Sequence, residues 1–144
     1  MKQGNFDLAL ENYQESLKIK ESIFGTKNHP LIADTLNNVG AVYIIQGKHE
    51  LALENLKESL SINRLFCTNS QTITLALNNI GSIYFNQGEY EDALIYYKDS
   101  LEIERSIYDS DENPSIVAIL NIIGKIYSKQ GKNYTDNKTI NLNL

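Results

Sequence analysis

The sequence predicts an all-α fold, a right-handed superhelical solenoid of antiparallel helix pairs, and three observations carry that expectation. A Gln-Gly step recurs at Gln3-Gly4, Gln46-Gly47, Gln87-Gly88 and Gln130-Gly131, with offsets of 43, 41 and 43 residues. Other positions keep the same register. Asn37-Asn38-Val39-Gly40 returns as Asn78-Asn79-Ile80-Gly81 and, more loosely, as Asn121-Ile122-Ile123-Gly124, while Tyr43, Tyr84 and Tyr127 follow three residues after those glycines. Between the steps the apolar residues fall at intervals of three and four, the period of an amphipathic helix. A fixed period of roughly 20 to 50 residues marks a stacked array, in which each unit buries its apolar surface only against its neighbours.

The first element is a second-type helix over 5–24, with Phe6, Ala9, Leu10, Tyr13 and Leu17 on its apolar face. No first-type helix stands before it, so Phe6, Leu10 and Tyr13 are expected to form an open apolar edge, with self-association or fraying as the consequence. Residues 30–46 form the first complete pair's leading helix, with a stripe through Ile32, Leu36, Val39 and Tyr43. Pro30 suits its first turn, where a missing N–H is harmless, and Gly47 supplies the residue that ends it. The partner helix covers 48–66 and carries Leu51, Ala52, Leu53, Leu56, Leu60, Ile62 and Phe66.

The second pair repeats the scheme. Residues 72–87 place Leu77, Ile80, Ile83 and Tyr84 inward, and residues 89–108 do so with Tyr90, Ala93, Leu94, Tyr97, Leu101 and Ile107. A polar turn, Asp109 to Asn113, leads through Pro114 into a third first-type helix over 115–130. The array thus covers 1–131, as a partial repeat 3–28, repeats 29–69 and 70–112, and a partial repeat 113–131. Residues 132–144 carry four asparagines and little apolar spacing, and are expected to be a disordered tail.

Gly40, Gly81 and Gly124 lie inside helices, where glycine costs about 0.5–1 kcal/mol relative to alanine. A cost repeated at one phase implies a contact too close for a Cβ, with Ala52 and Ala93 as the expected partners. Leu36, Val39, Tyr43, Leu77, Ile80, Tyr84 and Tyr97 are the expected core.

At this point the residues resemble a family. Leu36, Val39-Gly40, Tyr43, Gly47 and Ala52, and again Leu77, Ile80-Gly81, Tyr84, Gly88, Tyr90 and Ala93, occupy the pattern positions of the tetratricopeptide repeat. The longer period, with His29-Pro30, Thr35-Leu36-Asn37-Asn38 and Gln46-Gly47-Lys48, is similar to the kinesin light chain subclass. The resemblance covers 3–131. It implies a non-catalytic protein interaction module that binds an extended peptide or a helix in a concave groove lined by the first-type helices. Two other readings stand beside it, a structural spacer within a longer array and a cargo adaptor of a microtubule motor.

The remaining chemistry is sparse. A net charge of −5 without a basic run gives no footprint for nucleic acid or an anionic membrane, and no apolar stretch is long enough to span one. A single cysteine, Cys67, and the lack of a leader ahead of the first repeat lead to the expectation of a cytoplasmic protein. The two histidines, His29 and His49, stand apart, and no His, Cys and carboxylate cluster has metal-ligand spacing. No enzyme, metal or cofactor is expected. His29 is expected to stabilise its turn. The acidic Glu89, Glu91 and Asp92 suit a helix start, where they complement the dipole.

The groove phases are where a site is expected. Asn37, Asn78 and Asn121 recur at one helix phase, joined by Ser82, Phe85 and Lys125 one turn or more further on. An amide carries both an acceptor and donors, so an asparagine ladder suits the backbone of a bound peptide. Phe85 would pack an apolar anchor and Lys125 would favour an acidic residue. The paired cations of a carboxylate clamp are missing, because Asn37, Ala41 and Asn121 occupy the phases where they would stand.

Overall fold

The computed structural model describes residues 3–66 and 70–142, with side chains as far as Lys132. Six helices follow one another: α1 (Gln3–Phe24), α2 (Pro30–Ile45), α3 (His49–Phe66), α4 (Ser70–Asn86), α5 (Tyr90–Ile107) and α6 (Pro114–Leu142). There is no strand among the described residues. Cys67 lies outside them.

Local chemistry explains the boundaries. His29 is the N-cap of α2, its Nδ1 accepting the Leu31 N–H at 3.1 Å, and its ring stacks on Phe24 at 3.6 Å. The expected turn-stabilising role of His29 is thus met by two contacts. Gly47 and Gly88 take φ of 73° and 78°, and the amides after them reach back to Tyr43 O and Tyr84 O at 2.9 Å. That is the Schellman arrangement, which lets one helix end and an antiparallel one begin within three residues. Asn113 caps α6, its Oδ1 accepting the Ser115 N–H at 2.8 Å.

The fourth Gln-Gly step, Gln130-Gly131, behaves differently. The sequence pattern ended the last helix at 130 and left 132–144 as a tail, yet α6 continues through Gly131 to Leu142. Gly131 is not among the glycines with positive φ, which are Gly25, Gly47 and Gly88. Without a left-handed residue nothing reverses the chain, and the helix runs on.

The core is a strip between neighbouring units. Ala52, Leu53, Leu56 and Leu60 of α3 meet Ala76, Leu77, Ile80 and Ile83 of α4. One unit on, Ala93, Leu94 and Tyr97 of α5 meet Ile119, Ile123 and Ile126 of α6. Ile32, Ala33 and Leu36 of α2 close on Ile62, with Leu17 and Phe24 of α1 against them. Each fully buried leucine or isoleucine among these contributes about 1.5–3 kcal/mol. Leu36, Val39, Leu77, Ile80 and Tyr97 are buried as expected, but Tyr43 and Tyr84 are only half-buried. The Tyr84 hydroxyl accepts a 3.0 Å bond from Lys57 Nζ.

Gly40 and Gly81 are close-contact sites, though with other partners than expected, while Gly124, expected to be a third, meets nothing within 4 Å. A Cβ at Gly40 would stand 2.6 Å from Leu56 Cγ, and one at Gly81 would stand 2.7 Å from Tyr97 Cε2. The small alanines lie elsewhere in the seam. Glycine is needed because a large side chain lies across it. The open edge of α1 also differs from expectation. Phe6 is buried, Leu10 and Tyr13 are half-buried, and the exposed residues are Leu8, Ile19 and Ile23. Packing against α2 takes up the face that the sequence left open.

Candidate interaction groove

The asparagine ladder divides into three environments. Asn37 is buried and does not line a groove: its Nδ2 donates to Thr72 O at 3.2 Å across the α2–α4 interface. Beside it Thr72 Oγ1 donates to Asp34 Oδ1 at 2.9 Å, so the pair of contacts ties the two first-type helices together. Asn121 is exposed on α6. Asn78 is half-buried, and its Oδ1 is enclosed without a hydrogen-bond partner.

The other expected residues also separate. Ser82 hydrogen-bonds the Tyr97 side chain. Phe85 is half-buried against the α5–α6 core, its ring 5.8 Å from that of Tyr90. Lys125 is exposed. Of the six residues Asn37, Asn78, Asn121, Ser82, Phe85 and Lys125, Asn78 lines the cleft between α4 and α6 and the other five lie outside that cleft.

That concavity lies between α4 and α6, over α5. While α2 and α4 pack directly, α4 and α6 barely touch, and a cavity of about 440 Å³ opens between them. Its α4 wall is Gln71, Thr74, Leu75 and Asn78; its α6 wall is Ser115, Ala118, Ile119 and Ile122. Tyr97, Glu104 and Tyr108 form the floor. The lining is mixed: Leu75, Ala118, Ile119 and Ile122 supply apolar surface beside the polar Gln71, Thr74, Asn78 and Ser115, a combination met in ligand-binding clefts.

Two floor groups set its character. Glu104 is only 8% exposed, and no salt bridge among the described residues involves it. A buried carboxylate is costly unless it meets a cation or several donors. Tyr97 presents a phenol whose pKa is raised by burial, with the bond to Ser82 pulling the other way. The lining contains no lysine or arginine, so the cleft carries a net negative charge.

Sequence reasoning passed over Glu104, and one signal would have found it. Lys20, Asn63 and Glu104 occupy a single phase of the three second-type helices, spaced 43 and 41 residues apart. In the structure Lys20 reaches across to α2, bonding Thr35 Oγ1 at 2.6 Å and Leu31 O at 3.1 Å, and Asn63 is wholly buried. A polar residue recurring where each second-type helix faces the next unit marks a position that looks into the inter-unit cleft.

Stacked antiparallel pairs with an inter-unit cleft define the class of protein: an α-solenoid built for interaction surfaces. The chain belongs to the tetratricopeptide repeat family, whose model matches residues 1–64 and 72–133. Solved structures with the same fold include BtubC (BKLC) from P. vanneervenii. It is 24% identical with a TM-score of 0.77, over 89% of this chain and 51% of that one. The kinesin light chain nearly identical TPR-like repeats of Podosopora anserina align at 17% identity and a TM-score of 0.65, over 90% of this chain and 66% of that one. The chain therefore spans about half the length of the first and just under two thirds of the second. No curated protein matches it.

Tetratricopeptide repeats are protein–protein interaction modules and typically non-enzymatic scaffolds. Among the described residues no group of three or more His, Cys, Asp or Glu could hold a metal. Nor is any helix of the described residues long and apolar enough to cross a membrane.

Proposed function

We propose that the chain is a non-catalytic interaction module that takes an extended segment of a partner protein in the cleft between α4 and α6. The observation that carries this is the enclosed, unpaired Asn78 Oδ1 lining the same cleft as the buried Glu104 carboxylate. Both are acceptors, so the segment they suit offers donors. A backbone N–H fits Asn78, and a lysine or arginine side chain fits Glu104 with its aliphatic stem along Leu75, Ile119 and Ile122. This replaces the acidic preference that Lys125 suggested, because Lys125 stands outside the cleft. One cleft of this size buries modest area, so affinities in the micromolar range or weaker are expected.

Selection from a randomised peptide display library tests this. Captured peptides should carry a central Lys or Arg, and replacing that residue by Glu should lower binding at least about tenfold. Glu104→Gln should weaken the captured peptides similarly. Ala118→Arg, at an exposed position on the cleft wall, should block them while the helical circular dichroism signal persists. Captured peptides that bind both variants as they bind the parent would overturn the cleft reading. Failure to capture any peptide would favour the spacer role.

A further inference from the structure

A carbonyl at one repeat phase near the start of α2, α4 and α6 is a recurring acceptor. Leu31 O on α2 takes the Lys20 ammonium of α1 at 3.1 Å, and Thr72 O on α4 takes the Asn37 amide of α2 at 3.2 Å. The same phase on α6 is Ser115, which lines the cleft. Among the described residues no side chain donates to the Ser115 carbonyl.

The cause lies in the residues that stand where those donors stood. Asn78, at the phase of Asn37, makes no bond across the cleft, and its Oδ1 is enclosed without a partner. Glu104, at the phase of Lys20, ends in two acceptors instead of an ammonium. The spacing is the same: Lys20 precedes Leu31 by 11 residues, and Glu104 precedes Ser115 by as many. Lys20 also bonds Thr35 Oγ1 at 2.6 Å, whereas the Thr35 phase on α6 holds Ile119, which cannot accept. The cleft thus keeps the acceptor carbonyl, adds a carboxylate, and lacks the cation that joins such groups at α1–α2.

We propose, on the reading of the cleft as a peptide site, that a lysine side chain of the partner completes this clasp. Its ammonium lies between the Glu104 carboxylate and Ser115 O, as the Lys20 ammonium lies between Thr35 Oγ1 and Leu31 O. An ammonium carries three donors, so two serve Glu104 and Ser115 O and one remains for Asn78 Oδ1. The buried carboxylate is costly while it has no cation, and a charge-assisted bond offsets that cost. The partner's lysine then ties α5 to α6 as Lys20 ties α1 to α2. Because the recognised group is a charged ammonium, acetylation of that lysine removes both the charge and the clasp.

Nuclear magnetic resonance titration of the 144-residue chain with the peptide acetyl-Ala-Ala-Lys-Ala-Ala-amide tests the proposal, beside a copy carrying Nε-acetyl-lysine at its centre. A backbone carbonyl carbon moves downfield when it gains a hydrogen bond, so the Ser115 carbonyl carbon reports the clasp directly. The lysine peptide should move that carbon and should bind at least about tenfold more tightly than the acetylated copy. Glu104→Lys places an ammonium at the Lys20 phase, so it should move the same carbon with no peptide present and should block the peptide. Glu104→Met offers neither donor nor charge; it should leave the carbon in place and abolish the preference for lysine. Lys20→Met should shift the Leu31 carbonyl carbon upfield, which calibrates the signal. A lysine peptide that Ala118→Arg blocks, yet that binds no tighter than its acetylated copy or leaves the Ser115 carbon unmoved, would overturn the clasp and keep the cleft reading. A lysine peptide that fails to bind, or that binds Ala118→Arg like the parent, would overturn both.

Discussion

The Tyr97 ring lies directly across Gly81, so close that a Cβ there would stand 2.7 Å from Cε2 and 2.9 Å from Cδ2. This contact brings α4 and α5 together, and it also fixes the ring that floors the cleft. The same ring packs against Ile119, Ile123 and Ile126 of the next unit. Interhelix spacing and cleft shape therefore depend on one missing methyl group.

Alanine substitutions at the three helical glycines should separate by sign. Gly81→Ala and Gly40→Ala each gain about 1 kcal/mol of helix propensity but push against a buried side chain that has nowhere to move. A net loss of roughly 1–3 kcal/mol is expected for both. Gly124→Ala meets no neighbour and should stabilise by up to about 1 kcal/mol. Urea unfolding at low protein concentration measures all three, and a destabilised Gly124→Ala would contradict the open face on α6.

Asn37→Ala should act on stability and not on peptide capture. The substitution removes the interhelix bond to Thr72 O, a loss of about 0.5–1.5 kcal/mol. Its free Oδ1, enclosed and unpartnered, offsets part of that. Captured peptides should bind the folded variant as they bind the parent. Loss of binding with unchanged stability would return Asn37 to the groove.

His29→Ala removes the N-cap of α2 and the stack on Phe24 together. The cap is worth about 1 kcal/mol and the ring contact about 0.5–1.5 kcal/mol. Destabilisation should be felt mainly where α1 meets α2, because damage in an array spreads to nearest neighbours. Amide exchange that accelerates in α1 and the start of α2, and not in α5, is the expected pattern.

Alkaline pH should unfold the chain through Tyr97. Burial raises its pKa in the folded state, so the stabilisation is fully present below the unfolded tyrosine value and is lost as pH rises through the folded one. Lys57 shifts in the same direction through its hydrogen bond to Tyr84, and its exposure limits the effect. Ultraviolet titration should show a late-ionising tyrosine that is absent in Tyr97→Phe. A Tyr97→Phe variant with the same late titration would show that another residue is responsible.

The sequence by itself determined the helices and their order. Period, phase and capping are local properties: Gly47 and Gly88 end helices, and Gly40 and Gly81 mark close approach, whatever lies across from them. It could not say what lay across. The ladder of Asn37, Asn78 and Asn121 has one phase and three fates, because burial depends on how near the next first-type helix stands. At α2–α4 that distance admits a hydrogen bond to Thr72; at α4–α6 it leaves a cleft with Glu104 at its floor; and Asn121 on α6 is exposed among the described residues. The Gln130-Gly131 step likewise reads as a turn, yet it runs on as helix, since a glycine permits reversal but only packing of a returning helix compels it. Periodicity encodes which way a side chain faces, and only tertiary structure decides what it meets.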